Sequence, residues 1–343
     1  MRKSIYYLLI TITFILIGWF ANTAYHLPRN SNPIAQTRPT PLDKYTIENL
    51  GSAKVDPAKF ETGKVLKDDP KFTSYEFFMS FDPSLSDKNV KRVSGVLNVP
   101  KGKGPFPIVV MLRGFVKAET YFVGQGTQRA GEVFAQSGFI TIAPDFLGYG
   151  DSDSQVNDVF ESRFQTLTTA MVLLKSVEVL KGDPLKVVSN DFKFDGKNIF
   201  IWGHSNGGQI ALTTLEITQG TYPTVLWAPV SKPFPFSILY FTDSPGDYGK
   251  SLRKELAKFE KDYDTDLYSI HKYFDRIKAP INLNQGTKDE NVPQAWSDLL
   301  YTTLKDLKVD IKYHFYSEAD HNMQPSWNQA IANALNFYKK HIQ

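Results

Sequence analysis

The stretch Ile199-Phe-Ile-Trp-Gly203-His204-Ser205-Asn206-Gly207-Gly208-Gln209-Ile210-Ala211 decides the architecture of this chain. An apolar run ends in Gly-His-Ser-Asn-Gly-Gly, and a helical pattern follows at once. A Gly-x-Ser-x-Gly turn needs that order: strand, sharp bend with the serine at its tip, helix. A serine there adopts a strained backbone, and the flanking glycines are required because a Cβ would strike the neighbouring strand or helix. Ser205 then stands at the N-terminus of the next helix, where free N–H groups favour developing negative charge. The five-residue pattern arises by chance in many chains, so its meaning depends on partners elsewhere.

Upstream, Phe72–Phe81 and Lys91–Val99 are expected to form an antiparallel hairpin around a turn-rich segment. Pro107–Leu112 is a continuous apolar run, the mark of a strand buried on both faces, and Phe139–Pro144 is a second buried run. A helix near Thr127–Ser137 lies between them. A glycine-rich loop, Asp145–Ser152, follows. An amphipathic helix then carries Phe160, Phe164, Leu167, Met171, Leu174 and Val177 at steps of three and four, stopped by Gly182 and Pro184. Downstream, Thr224–Ala228, Pro280–Gln285 and Ile311–Tyr316 are strands, the last two followed by helices near 294–307 and 326–340. The segment from about 229 to 278 breaks the alternation and is expected to be an inserted cap or lid. Its aromatics either wall an apolar pocket or pack the cap onto the body. The whole predicts a mostly parallel eight-stranded sheet with helices on both faces. Ligands in such sheets bind beyond the C-terminal strand ends, where Ser205, Asp289 and His321 all fall.

A serine hydroxyl is a weak nucleophile and needs a base within hydrogen-bond reach, itself oriented by a carboxylate. Ser205, Asp289 and His321 supply these in the chain order Ser, Asp, His. With Gly203–Gly208, Gly286–Pro293, Asp320-His321 and Pro144–Gly150, the chain resembles the α/β-hydrolases. Within that fold it is most similar to prolyl oligopeptidase catalytic domains and dienelactone-hydrolase-like enzymes, over roughly Phe72–Lys340. The resemblance implies an α/β-hydrolase fold and acyl transfer to water through an acyl-enzyme on Ser205. It also implies an oxyanion hole with one donor from the Asn206 N–H and a second from the loop after Leu112. The candidate second donor is the Phe115 N–H. Prolyl oligopeptidase relatives use a tyrosine hydroxyl from that region, which makes Tyr121 the alternative. In place of the usual Gly-Gly or His-Gly signature this loop carries Arg113-Gly114.

Other residues compete for these roles. Glu290 and Asp320 rival Asp289. His26 lies in a tether, His341 at the C-terminal end, His271 in the cap and His314 within a strand. His204 belongs to the turn but cannot point back at Ser205. Arg113 and Asp145 are read as a pair bracing the site. Carboxylic ester hydrolysis is expected over peptidase activity, because the stretch before the opening hairpin is too short for the β-propeller that filters short peptides in prolyl oligopeptidase relatives. A catalytically silent hydrolase fold serving as a binding module is the remote alternative.

The chain's 343 residues, 42% hydrophobic and 22% charged, suit a large buried core. A net charge of +3 with interspersed signs gives no basic stripe, so nucleic acid is not an expected partner. The absence of cysteine excludes disulfides, thiolate zinc sites and a cysteine nucleophile. No cluster has metal-ligand spacing and no phosphate loop occurs, so neither metal nor cofactor is expected. Arg2 and Lys3 precede Ile5–Ala24, mostly apolar and long enough to span about 30 Å as a helix. Residues 1–25 are therefore expected to be an uncleaved signal-anchor, with a cleaved signal peptide as the alternative. Either places the body, 45–343, outside the cytoplasm, behind a Pro-, Asn- and Thr-rich tether over 26–44. The expected substrate is a small-molecule or short-peptide acyl compound.

Overall fold

The computed structural model describes residues 39–86, 88–179, 193–242 and 246–343. The expected anchor or signal segment, most of the tether and the helix stop at Gly182 and Pro184 lie outside the described residues. Among the described residues, no helix is long and apolar enough to cross a membrane.

One sheet organises the body. Its strands are β1 (Lys59–Asp68), β2 (Phe72–Phe81), β3 (Lys91–Pro100), β4 (Phe106–Leu112), β5 (Ile140–Pro144), β6 (Phe194–His204), β7 (Thr224–Trp227), β8 (Ile281–Gly286) and β9 (Ile311–Tyr316). Their spatial order is β1-β2-β3-β5-β4-β6-β7-β8-β9. Every pairing from β5 through β9 is parallel, while β1, β2 and β3 join as antiparallel strands. The sheet therefore has nine strands among the described residues, where eight were expected. The extra one is β1, an edge strand whose residues are mostly exposed. It has no buried face to impose the alternation by which a strand is recognised.

β4 lies between β5 and β6, so the order of strand addition reverses across it. That reversal opens a crevice at the C-terminal ends of β4 and β6, the position where doubly wound sheets bind ligands. The helices are α1 (Ile47–Ser52), α2 (Gln128–Gln136), α3 (Val159–Val179), α4 (Asn206–Thr218), α5 (Phe236–Leu239), α6 (Lys250–Phe259), α7 (Gln294–Asp306) and α8 (Trp327–Lys340). Phe134 of α2 and Ile331 and Tyr338 of α8 pack on one sheet face with Val109, Phe200 and Val225. Leu173 and Val177 of α3 and Leu212 and Leu215 of α4 pack on the other with Ile108, Ile201 and Leu283. Each such fully buried side chain is worth about 1.5–3 kcal/mol, so burial holds the crevice walls in register.

The insertion after β7 is fastened by a third cluster. Phe160, Phe164 and Met171 of α3 meet Phe234, Phe259 and Tyr268 there, with Phe164 stacked on Tyr268 at 4.8 Å. These aromatics pack the insertion onto the body. Phe236, Tyr240 and Phe241 instead stay substantially exposed, grouped around Trp296.

Candidate active site

Ser205 occupies the bend between β6 and α4 with φ 57° and ψ −122°, a strained conformation for a residue with a Cβ. The bend is held from several sides. The Ser205 N–H donates to Trp227 O at 2.9 Å, and the Ser205 carbonyl accepts from Val230 N–H and Gly208 N–H, each at 3.0 Å. A Cβ on Gly207 would lie 1.9 Å from Leu112 O, so only glycine lets α4 start against the end of β4. A Cβ on Gly114 would lie 2.9 Å from Ser205 Cβ and 3.5 Å from its Oγ. The loop after β4 thus runs directly beside the serine side chain.

His321 and Asp289 are brought together. His321 Nδ1 lies 3.0 and 2.9 Å from the two Asp289 carboxylate oxygens. Asp289 also accepts from the N–H groups of Asn291 at 2.9 Å and Val292 at 2.8 Å, and from Gln285 Nε2 at 2.9 Å. Burial alone would raise this carboxyl. The His321 hydrogen bonds and charge and the two backbone N–H groups overcome that and hold it below the usual carboxylate range. An ionised Asp289 fixes the proton of His321 on Nδ1 and leaves Nε2 as the basic atom. The rivals are otherwise engaged: Asp320 accepts the Asn322 and Gln324 N–H groups of its own loop, and Glu290 accepts from Asn291 Nδ2 at 3.5 Å. No hydrogen bond joins Ser205 Oγ to His321 among the described residues.

The loops bearing Asp289 and His321 are laced together by Lys288 N–H to Ala319 O at 2.9 Å and Glu318 N–H to Thr287 Oγ1 at 2.9 Å. The histidine is tied to the serine turn through its neighbour. The His204 ring packs tilted against the His321 ring with centroids 4.7 Å apart, and His204 Nε2–H donates to His321 O at 2.9 Å. Burial, reinforced by the positive charge of His321, pushes His204 down to about 4, so it is neutral at ordinary pH. Its Nε2 is engaged by the His321 carbonyl. It supports the His321 loop.

Two backbone N–H groups are uncommitted: among the described residues, neither Asn206, which follows Ser205, nor Phe115, which follows Gly114, donates its N–H to a protein acceptor. Tyr121 is a different case. Its hydroxyl donates to Asp145 Oδ1 at 2.6 Å and has no second proton to offer, so the structure corrects the reading of Tyr121 as the alternative oxyanion donor.

Arg113 and Asp145 do pair, through the backbone oxygen of Asp145 and not its carboxylate. The guanidinium reaches the Asp145 backbone carbonyl through Nε at 3.2 Å and Nη2 at 2.7 Å, and the Gly114 carbonyl through Nη1 at 2.9 Å. The Asp145 carboxylate accepts instead from Ser94 Oγ at 2.6 Å, Tyr121 and the Gly124 N–H at 2.9 Å. Burial still raises this carboxyl above its ordinary range. Gln285, which steadies Asp289 and accepts from Ser297 Oγ at 2.7 Å, went unnoticed in the sequence. The available signal was an Asn-x-Asn-Gln run of polar residues inside a buried strand.

Several known proteins resemble this chain in sequence or fold. Residues 183–343 match the prolyl oligopeptidase family, Peptidase_S9. The chain is 26% identical over 258 residues to the uncharacterized peptidase YtmA of Bacillus subtilis, covering 74% of this chain and 90% of that protein. It is 23% identical over 305 residues to the acetyl esterase Axe7A of Xylanibacter ruminicola, covering 84% of this chain and 66% of that protein. Among solved structures, acetyl xylan esterase 1 from Thermoanaerobacterium superposes with a TM-score of 0.58 at 15% identity, covering 88% of this chain and 94% of that one. Sheet order, serine turn and these matches together give the chain an α/β-hydrolase fold and make it a hydrolase of the esterase or peptidase type.

Proposed function

We propose that the chain hydrolyses carboxylic esters through an acyl-enzyme on Ser205. The observation that carries this is the Asp289–His321 pair set beside the strained serine turn, with the Asn206 and Phe115 N–H groups left uncommitted next to it. His321 Nε2 takes the proton of Ser205 Oγ as that oxygen attacks the acyl carbon. The carbonyl electrons move onto oxygen, which the Asn206 and Phe115 N–H groups stabilise. His321 then returns the proton to the leaving alcohol as the ester C–O bond breaks. Water, deprotonated by the same nitrogen, releases the acid and restores Ser205. The Ser205–His321 hydrogen bond is expected to close when substrate is bound, as catalytic hydrogen bonds commonly do.

The similarity to an acetyl esterase over most of the chain, and to an acetyl xylan esterase in fold, supports a short acyl group. A peptidase is the second reading, favoured by the family match over 183–343 and by the similarity to YtmA. Labelling with a fluorophosphonate, followed by turnover of aryl acetates against aminoacyl and prolyl amides, decides between them. Equal labelling of wild type and Ser205→Ala would refute the mechanism, and faster amide turnover would replace the ester reading. The extracytoplasmic placement rests only on Arg2, Lys3 and the apolar run Ile5–Ala24. Recovery of intact Met1–Ala24 in a membrane fraction would support an anchor; soluble cytoplasmic recovery would overturn it.

A further inference from the structure

We propose that Arg113 is the positioning residue of the oxyanion hole, setting the Gly114–Phe115 peptide plane so that the Phe115 N–H faces Ser205. This rests on the reading that Ser205 carries the acyl group.

Arg113 is almost fully buried. Its guanidinium is bonded to no carboxylate among the described residues. It is held by the carbonyls of Asp145 and Gly114 and by ring faces, with the Tyr149 centroid 3.9 Å away and that of Tyr121 4.8 Å away. Tyr121 is in turn locked by its bond to Asp145, so the cage cannot rotate away from the cation. A buried charge satisfied by carbonyl oxygens has a strong claim on their position, because releasing either leaves it under-solvated.

The consequence falls on one peptide bond. Gly114–Phe115 is not among the cis peptides of the chain. In a trans peptide the C=O and N–H point in opposite directions within one plane. Nη1 draws the Gly114 carbonyl inward at 2.9 Å, and this turns the Phe115 N–H outward. A Cβ on Gly114 would lie 2.9 Å from Ser205 Cβ, so the peptide that follows Gly114 runs beside the serine and its outward N–H is within that neighbourhood. A cation on the carbonyl also polarises the peptide and strengthens its N–H as a donor. A glycine between two uses, clamp on one side and nucleophile on the other, has no side chain with which to fix its own plane. Arg113 supplies that restraint.

The test compares wild type, Arg113→Met and Arg113→Lys in kcat and KM for 4-nitrophenyl acetate. It also compares their affinity for an alkyl boronic acid, whose tetrahedral adduct on Ser205 places an oxygen in the oxyanion hole. Removal of one oxyanion donor typically costs 10²–10³ in kcat, so Arg113→Met should lose about 100-fold in kcat with KM little changed. Boronate affinity should fall by the same factor. Arg113→Lys keeps the charge but reaches one carbonyl at a time, and should lose about tenfold in both. It carries the comparison if Arg113→Met does not fold. A folded variant that loses kcat but binds the boronate as tightly as wild type overturns the role, as does one that loses neither. A wild type that neither turns over the ester nor labels with a fluorophosphonate refutes the reading of Ser205 itself, and this role with it.

Discussion

Replacing His204 with glutamine removes a titrating ring while leaving an amide nitrogen close to where Nε2 donates to His321 O. In the native structure burial and the nearby His321 charge hold His204 at about 4, against an ordinary value of 6.5. The unfolded chain therefore binds a proton there between those values that the folded chain refuses. Stability then falls as pH drops through that window and levels off below it. A gap of that size is worth about 3 kcal/mol in full, of which about 2.5 kcal/mol is lost by pH 4.5 and almost none by pH 7.5. The lowered Asp289 carboxyl acts in the same direction, but only below its ordinary value of 3.8, so the two windows are separable. Urea unfolding of Ser205→Ala and of Ser205→Ala/His204→Gln, from pH 7.5 to 4.5, measures the difference without acyl-enzyme heterogeneity. The gap between the two curves should change by about 2.5 kcal/mol over that range in favour of the glutamine variant. Parallel curves would refute the account of His204 as a neutral support for the catalytic loop.

Two further outcomes follow from the geometry. Tyr121→Phe should destabilise the fold by about 1–3 kcal/mol, because a buried carboxylate loses a donor, yet leave kcat nearly intact; a 100-fold fall in kcat would reinstate the hydroxyl as an oxyanion donor. Asp289→Asn should keep the fold and reduce kcat on the order of 10⁴-fold by favouring the wrong His321 tautomer; steady-state rates within tenfold of wild type would remove Asp289 from the mechanism.

The strands that wall the crevice were legible for a physical reason. β4 and β5 are buried on both faces, and a strand in that position is built almost wholly of apolar residues. β1 escapes because it is an edge with little to bury, so its Lys, Glu and Gly residues show no dominant period. Ser205, Asp289 and His321 were legible because each follows a strand end, and a parallel sheet collects all its C-terminal ends on one side.

Arg113, Tyr121 and Asp145 were illegible because the sequence states their chemistry but not its direction. A guanidinium two strand-ends from a carboxylate suggests an ion pair, and a tyrosine near the site suggests a donor to substrate. The structure routes both otherwise: the carboxylate of Asp145 is claimed by Ser94, Tyr121 and Gly124, and the guanidinium takes the backbone oxygen of the same residue. β4 and β5 are parallel neighbours, so their C-terminal ends lie side by side, and a buried cation on one end meets the outgoing carbonyl of the other before any side chain reaches it. The remaining guanidinium nitrogen donates to the carbonyl of its own neighbour, Gly114. The orientation of the Phe115 N–H is therefore a product of strand order: the switch point that opens the crevice also dictates which carbonyls Arg113 can bind.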